Sequence, residues 1–135
     1  MQVKTDTKER FHAITLPGAS LSATMTEELA DCLLPYLQND ASLPDRQVKN
    51  VVLILKDIES IDIAAAEKLV HIQQKYYENS ASFVICELQP QVEDFLDKNE
   101  LLELMNVTPT QSEAWDIVQM EEIEREFLDE EGTEG

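Results

Sequence analysis

The sequence predicts an α/β domain with a small mixed β-sheet of four or five strands and about four helices. Two short apolar runs, VVLIL at 51–55 and SFVIC at 82–86, have the composition of strands that are covered on both faces. Between them, apolar residues recur at helical spacing from about Asp62 to Tyr77. Strand, helix and strand in this order predict a right-handed crossover that joins two parallel neighbours.

The other strands are predicted from shorter segments. FHAITL at 11–16 contains β-favouring residues and stops at Pro17-Gly18, which is a turn signal. MQVKT at 1–5 can pair with it as an edge strand, and residues 106–108 can supply another edge. The polar stretch at 38–47 is predicted to be a loop.

Several helix starts carry a recognisable signal. Thr24 with Glu27, and Thr110 with Glu113, have the spacing of a capping box. Pro90 suits the first turn of another helix, where its missing N–H costs nothing. In the central helix, six residues are predicted to face inward: Ile63, Ala66, Leu69, Val70, Gln73 and Tyr77.

Charge is spread unevenly along the chain. Residues 1–86 hold 12 acids and 8 bases, a net −4, whereas residues 87–135 hold 16 acids and 2 bases, a net −14, which together give −18. Such a surface repels nucleic acid and anionic membranes. It suits a basic protein partner, although a role in solubility alone explains it equally well.

The expected location is the cytoplasm, without insertion into a membrane. No apolar run approaches the ~20 residues that span a bilayer, and MQVKTDTKER at the start has no hydrophobic segment behind its charges. Cys32 and Cys86 lie among apolar residues and are predicted to be buried free thiols.

The pattern of the last helix predicts two parts of the chain, a domain at 1–118 and an acidic helical extension and tail at 119–135. Met120, Ile123 and Phe127 continue the helical spacing beyond Val118, and acids flank them. This apolar stripe is expected to pack either on the domain or on a second copy, which would make a homodimer.

Glycine is too scarce for a phosphate-binding loop. The chain has three glycines, and Gly132 and Gly135 lie in the acidic tail. Nucleotide-binding loops need several glycines so that the backbone can approach the phosphates. The nucleophile-elbow pattern is missing as well. We therefore expect neither an enzyme nor a cofactor.

A metal site is not expected either. His12 in a strand and His71 on a helix have no cysteine or acid at ligand spacing, which favours structural or surface roles. Asp57, Glu59 and Asp62 cluster after the central strand and could hold Mg²⁺. Solvated loop acids and a helix cap explain these three carboxylates more simply.

Four motifs follow one another in a characteristic order. A strand ends in Leu16-x-Gly18, and an apolar strand is followed by Ile61-Asp62 and a long helix. A strand, a helix and an L-x-x-x-x-L-L segment occupy 82–105, and SEAWDIV at 112–118 starts the last helix. From about Phe11 to Val118 the chain thereby resembles the STAS domain, the fold of bacterial anti-sigma-factor antagonists.

The resemblance implies a non-enzymatic regulatory protein that acts by protein–protein binding. Its implied partner is an anti-sigma factor, or a related serine/threonine kinase of the histidine-kinase-like ATPase type. STAS domains also serve lipid and anion transport systems, so an accessory subunit of a membrane transporter is an alternative. A scaffold subunit is a third hypothesis.

The family's switch lies at SIDIAAAEKL, residues 60–69. The family pattern there is usually I-D-S-S-G-L, in which a partner kinase phosphorylates a serine or threonine. Ile61 and Asp62 match it, and the next four positions are replaced: Ile63 and Ala64 for the serines, Ala65 for the glycine and Ala66 for the leucine. Ala64 falls at the phosphorylated position, so the resemblance implies no phosphorylation there, with Ser60 as a weak alternative acceptor.

The expected partner-binding residues are Asp62, Ile63, Ala64, Ala65 and Glu67. Asp62 is expected to be the N-cap and to satisfy one or two backbone N–H groups of its own helix. Small side chains in the first turn would let the backbone of a partner approach closely. Alternatively, the alanines merely let the helix lie against the sheet, an explanation that suits Ala66 better than Ala64.

Overall fold

The computed structural model describes residues 3–8, 10–37 and 49–134, with side chains as far as Phe127. The strands are β1 (Lys4–Thr7), β2 (His12–Thr15), β3 (Ser20–Leu21), β4 (Val51–Ile54), β5 (Ser60–Ile61), β6 (Phe83–Cys86) and β7 (Val107–Thr108). The helices are α1 (Thr26–Leu33), α2 (Ile63–Glu78), α3 (Pro90–Lys98) and α4 (Gln111–Glu134). The predicted loop at 38–47 lies outside the described residues.

Five of the strands form one mixed sheet, in the order β1-β2-β4-β6-β7. β1 runs antiparallel to β2, and the remaining neighbours are parallel. The predicted fold class is confirmed, and so is the parallel pair of β4 and β6 around helix α2. Both predicted edge strands form, β1 beginning at Lys4 and β7 at Val107.

Helices cover both faces of this sheet. Successive residues of a strand point to opposite faces, and in β4 all four residues are buried. Leu53 lies in the larger core cluster with residues of α1, α2 and α3. Val52 and Ile54 lie in a second cluster with Ala114 and Val118 of α4. None of the helices among the described residues is long and apolar enough to cross a membrane.

Helix α2 is rotated slightly from the orientation that its sequence predicted. Its buried residues are Ala65, Ala66, Leu69, Val70, Ile72 and Tyr76. The prediction was wrong for Ile63, which is 45% exposed, while Gln73 and Tyr77 are half-buried. At 100° per residue, Ile63 lies about 160° around the helix from Ala65, which faces the sheet. Ile63 therefore lies outside the core although its side chain is apolar.

The two tyrosines at the end of α2 have different surroundings. Tyr76 is buried, its ring centroid lies 5.0 Å from that of Phe83, and its hydroxyl donates to the carbonyl of Leu33. The Tyr77 hydroxyl lies 2.8 Å from Glu121 Oε1, so it joins α2 to α4. Burial, and then the hydrogen bond to Glu121, raise the pKa of Tyr77.

One of the two predicted capping boxes forms a side-chain cap. Thr110 Oγ1 accepts a hydrogen bond from the Glu113 N–H at 3.2 Å, at the start of α4. The box at Thr24 was wrong, because α1 begins at Thr26 with no side-chain cap, and Thr24 Oγ1 lies 2.9 Å from Ser22 Oγ. A 3-10 turn at Ala23–Met25 precedes α1, so Thr24, the predicted cap residue, lies inside this turn.

Helix α4 continues without a break across the predicted boundary between residues 118 and 119. Its second half is tied to the domain around Asn50, a buried residue. Asn50 Nδ2 donates to Glu122 Oε1 at 2.6 Å, and Arg10 forms a salt bridge of 2.6 Å with Glu122. Arg125 donates to Asn50 Oδ1 at 3.3 Å and to Ser82 Oγ at 3.1 Å. Residues 119–125 are therefore anchored beside the amino-terminal ends of β4 and β6.

Ending the chain after Val118 should destabilise the domain. The truncation removes Glu121, Glu122 and Arg125 and leaves the buried Asn50 amide without its helix partners. We expect the free energy of unfolding to fall by about 2–4 kcal/mol, measured by urea denaturation. A chain ending after Phe127 keeps these contacts and should lose less than about 0.5 kcal/mol. Equal stability of the two truncated chains would contradict the anchoring role of the network.

The Cys86 thiol should be protected by the fold. Burial, with a smaller contribution from Glu87, raises the pKa of Cys86 to about 12. The thiolate is the reactive form, so at pH 8.5 almost none is present in the native protein. In a Cys32→Ser variant, iodoacetamide at pH 8.5 should leave Cys86 unmodified until denaturant is added. Rapid labelling of the native variant would show that the thiol is accessible.

Candidate functional site

The loops that follow β2 and β4 lie side by side at the carboxyl edge of the sheet. They are joined by the short parallel pair of β3 and β5, in which Ser20 is opposite Ser60 and Leu21 opposite Ile61. Leu21 and Ile61 are buried and anchor the pair in the core, while Ser20 and Ser60 are exposed. Strands of two residues carry no periodicity, so this pair was not predicted from the sequence.

Backbone hydrogen bonds fix the two loops to each other. The carbonyl of Ala19 accepts from the N–H groups of Glu59 at 2.6 Å and Ser60 at 3.2 Å, and the carbonyl of Leu21 accepts from Asp62 N–H at 2.8 Å. Gly18 has a φ of +87°, a value that favours glycine, in the turn that leads into β3. The position of Asp62 is therefore set by the neighbouring loop as well as by its own helix.

Asp62 occupies the N-cap position of α2 but does not cap that helix through its side chain. Its Oδ2 accepts a hydrogen bond from the N–H of Ala23 at 3.1 Å, at the start of the 3-10 turn before α1. The expectation that Asp62 satisfies N–H groups of its own helix was wrong. The carboxylate instead links the starts of the α1 and α2 segments, because β3 and β5 bring those starts together.

The first turn of α2 is consequently open on its outer side. Asp62, Ile63, Ala64 and Glu67 are all exposed, and we call these four residues the α2 N-terminal surface. Ala64 presents a methyl group there. Ile63 adds a large apolar side chain between two carboxylates. The surface combines apolar contact area with the polar backbone of a helix start.

Ala65 does not belong to this surface. It is fully buried, as is Ala66, and both lie in the core cluster between α2 and the sheet. Ala65 therefore cannot contact a partner directly, contrary to its place among the expected partner-binding residues. Its small side chain lets α2 approach the sheet, as the alternative explanation of the alanines stated.

Two hydroxyls lie next in sequence to the hydrogen bond between Ala23 and Asp62. They belong to Ser22 and Thr24, on either side of Ala23. Their oxygens lie 2.9 Å apart, and Thr24 is exposed. The capping-box pattern predicted only a helix cap for Thr24, because nothing in a single sequence shows that the neighbouring Ala23 contacts Asp62. The exposed hydroxyl of Ser60 lies on β5, two residues before Asp62.

The acids of this region are not grouped as the ligands of a metal ion are. Throughout the described part of the chain, no group of three histidine, cysteine, aspartate or glutamate side chains is placed to hold a metal ion. Asp57, Glu59 and Asp62 are among the acids to which this statement applies. His12 is buried, with its Nδ1 3.0 Å from Thr7 Oγ1 and its ring 4.6 Å from that of Tyr36. Its ring is thus held by contacts within the domain.

Solved structures share this fold at low sequence identity. An anti-sigma-factor antagonist (STAS) domain protein from Planctomyces limnophilus is 19% identical, with a TM-score of 0.69 over 87% of this chain and 97% of the other. The Bacillus cell fate determinant SpoIIAA, in its phosphorylated form, is 13% identical, with a TM-score of 0.57 over 87% and 99%. The murine anion transporter Slc26a9 is 14% identical, with a TM-score of 0.66 over 82% of this chain and 18% of the transporter.

No curated protein matches the chain by sequence. The family is identified by a sequence profile instead. The profile of the STAS domain matches residues 2–114, which is most of the chain and includes the β3–β5 pair and the start of α2. The chain belongs to the STAS domain family.

Proposed function

We propose that this chain is a non-enzymatic regulatory protein of the anti-sigma-factor antagonist type, which works in the cytoplasm and binds its partner through the α2 N-terminal surface. The observation that carries the proposal is the exposure of Ala64 in the first turn of α2. The family's phosphorylated serine or threonine stands at this position. The site that a kinase would modify is therefore accessible but has no hydroxyl.

The partner that suits this proposal is an anti-sigma factor or a related serine/threonine kinase. The fold shared with the Planctomyces antagonist and with SpoIIAA supports it. Without an acceptor at Ala64, the surface would keep the form that unmodified relatives present. Binding would then not be switched off by phosphorylation at this position. Ser60, exposed on β5, remains the weak alternative acceptor.

The surface offers what a protein partner can bind. Ile63 supplies an exposed apolar side chain that can fill a pocket in the partner. Beside it, the methyl group of Ala64 leaves room for close approach of a backbone. The hydrogen bond between Asp62 and Ala23 holds the start of α2, which carries Ile63 and Ala64, in place before a partner binds. A preformed surface loses little conformational entropy when a partner binds.

A second candidate function is that of an accessory subunit of a lipid or anion transport system. The fold likeness to a segment of Slc26a9 favours it. In that case the chain should co-purify with membrane proteins after detergent extraction. Co-purification with a kinase or an anti-sigma factor would favour the first function. If the chain co-purifies only with the proteins of a structural assembly, the result would favour a scaffold subunit.

Replacing Ala64 by glutamate should abolish partner binding and leave the fold intact. A carboxylate in the first turn of a helix is stabilised by roughly 0.3–1 kcal/mol through the helix dipole, so the melting temperature should not fall. The partner would have to bury an unpaired charge, which should weaken binding by at least about 100-fold. Calorimetry with the co-purified partner measures the affinity, and a thermal melt measures stability.

Gln74→Glu provides the matched control, because Gln74 is an exposed residue of the same helix and the change adds the same charge. It should bind the partner as the original chain does. If Ala64→Glu also binds normally, the interface lies elsewhere on the domain. If it binds poorly and melts far below the original chain, the loss comes from unfolding and the surface is not the cause.

A further inference from the structure

Helix α4 carries a row of large apolar side chains on the side away from the sheet. Met120, Ile123 and Phe127 are 59%, 52% and 63% exposed. They are spaced by three and four residues and so lie along one face of the helix. That face is opposite the one on which Ala114 and Val118 are buried. We call these three residues the outer stripe.

The contacts of α4 with the domain keep the outer stripe in solvent. On the inner face, Glu122 pairs with Arg10 and Asn50, and Arg125 bonds to Ser82. Rolling the helix to bury the stripe would break these hydrogen bonds and would turn Val118 outward. The exposure of the stripe is therefore set by the fold and does not come from a loosely attached helix.

Acids lie at one end and on both sides of the outer stripe. Asp116, Glu124 and Glu126 are exposed on the same helix. Arg125 is the only base in the sequence of α4, and it faces inward to Ser82 and Asn50. The outer side of α4 thus combines an apolar row with a rim of negative charge.

This combination selects among the molecules that could cover the stripe. A second copy of the chain would bring two acidic rims together, on a protein whose net charge is −18. A basic amphipathic helix would bury the same apolar side chains and would place its lysines and arginines against Asp116, Glu124 and Glu126. Charge complementarity of this kind favours the basic partner over the second copy.

We propose that the outer stripe is a docking site for a basic amphipathic helix of a partner protein. The site is separate from the α2 N-terminal surface, because α4 covers the face of the sheet opposite to α2. One chain can then hold two proteins at once. The docking site stands whether or not the α2 N-terminal surface binds an anti-sigma factor.

The test uses the full chain and three synthetic peptides of equal length. The first is a helical peptide with a leucine stripe flanked by lysines. The second has the same composition with its leucines scattered around the helix, and the third has glutamate in place of lysine. Fluorescence anisotropy should show binding of the first peptide alone, and that binding should weaken as salt rises.

The variants locate the site. Combined replacement of Met120, Ile123 and Phe127 by serine should weaken binding of the first peptide by at least about tenfold, because the apolar contact is lost. Leu104→Ser is the matched control, since Leu104 is 53% exposed but lies outside α4, and it should leave the affinity unchanged. Replacement of Glu124 and Glu126 by glutamine should weaken binding and reduce its salt dependence. Circular dichroism melts of all variants establish that the fold is kept.

Three results would overturn the proposal. Equal binding of the scattered and the striped peptide would show general attraction to an acidic protein. Unchanged affinity of the triple serine variant, with its fold intact, would place the contact elsewhere. A dimer of the original chain in sedimentation equilibrium, lost in the triple serine variant, would assign the outer stripe to a second copy.

Discussion

The arrangement of the whole domain depends on the burial of β4 from both sides. Val52 and Ile54 point to one face of the sheet and Leu53 to the other, and all three are buried. A strand of this kind is stable only if helices lie on both faces. Helices α1, α2 and α3 cover one face and α4 covers the other. The two surfaces proposed to bind partners are a consequence, since each belongs to a helix on a different face.

The same constraint explains why residues 119–125 are attached to the domain. Ala114 and Val118 cover the second face of the sheet, and the helix that carries them continues toward Asn50. Glu122 and Arg125 then satisfy the polar groups of Asn50, Arg10 and Ser82 at the edge of the core. Buried amides need such partners. We therefore expect residues 119–125 to contribute to stability as well as to net charge.

Sequence patterns predicted the elements that have a clear local signal. The two apolar runs correctly predicted β4 and β6, and the capping-box spacing at Thr110 correctly predicted the start of α4. Prediction failed where a residue's position depends on a distant segment. Ile63 was assigned to the inward face of α2 from the helical spacing of its apolar residues, and Thr24 was assigned to a cap that the 3-10 turn displaces.

The candidate site shows the same limit more clearly. The resemblance to the STAS family pointed to residues 62–67, and four of the five expected partner-binding residues are exposed. The sequence could not show that β3 and β5 pair, because two-residue strands leave no pattern. Without that pairing, the carboxylate of Asp62 is naturally assigned to its own helix. In the structure this carboxylate accepts a hydrogen bond from the Ala23 N–H, and no side chain caps the first turn of α2.

The most direct test of this account is amide hydrogen exchange at residues 23 and 65, measured by NMR in the original chain and in Asp62→Ala. If Asp62 holds the neighbouring loop, the Ala23 amide should exchange at least about tenfold faster in the variant, because it loses its acceptor. The Ala65 amide, in the first turn of α2, should keep its original rate. Faster exchange at Ala65 with no change at Ala23 would contradict the account. It would mean that Asp62 caps its own helix and that the first turn of α2 is already closed by that side chain.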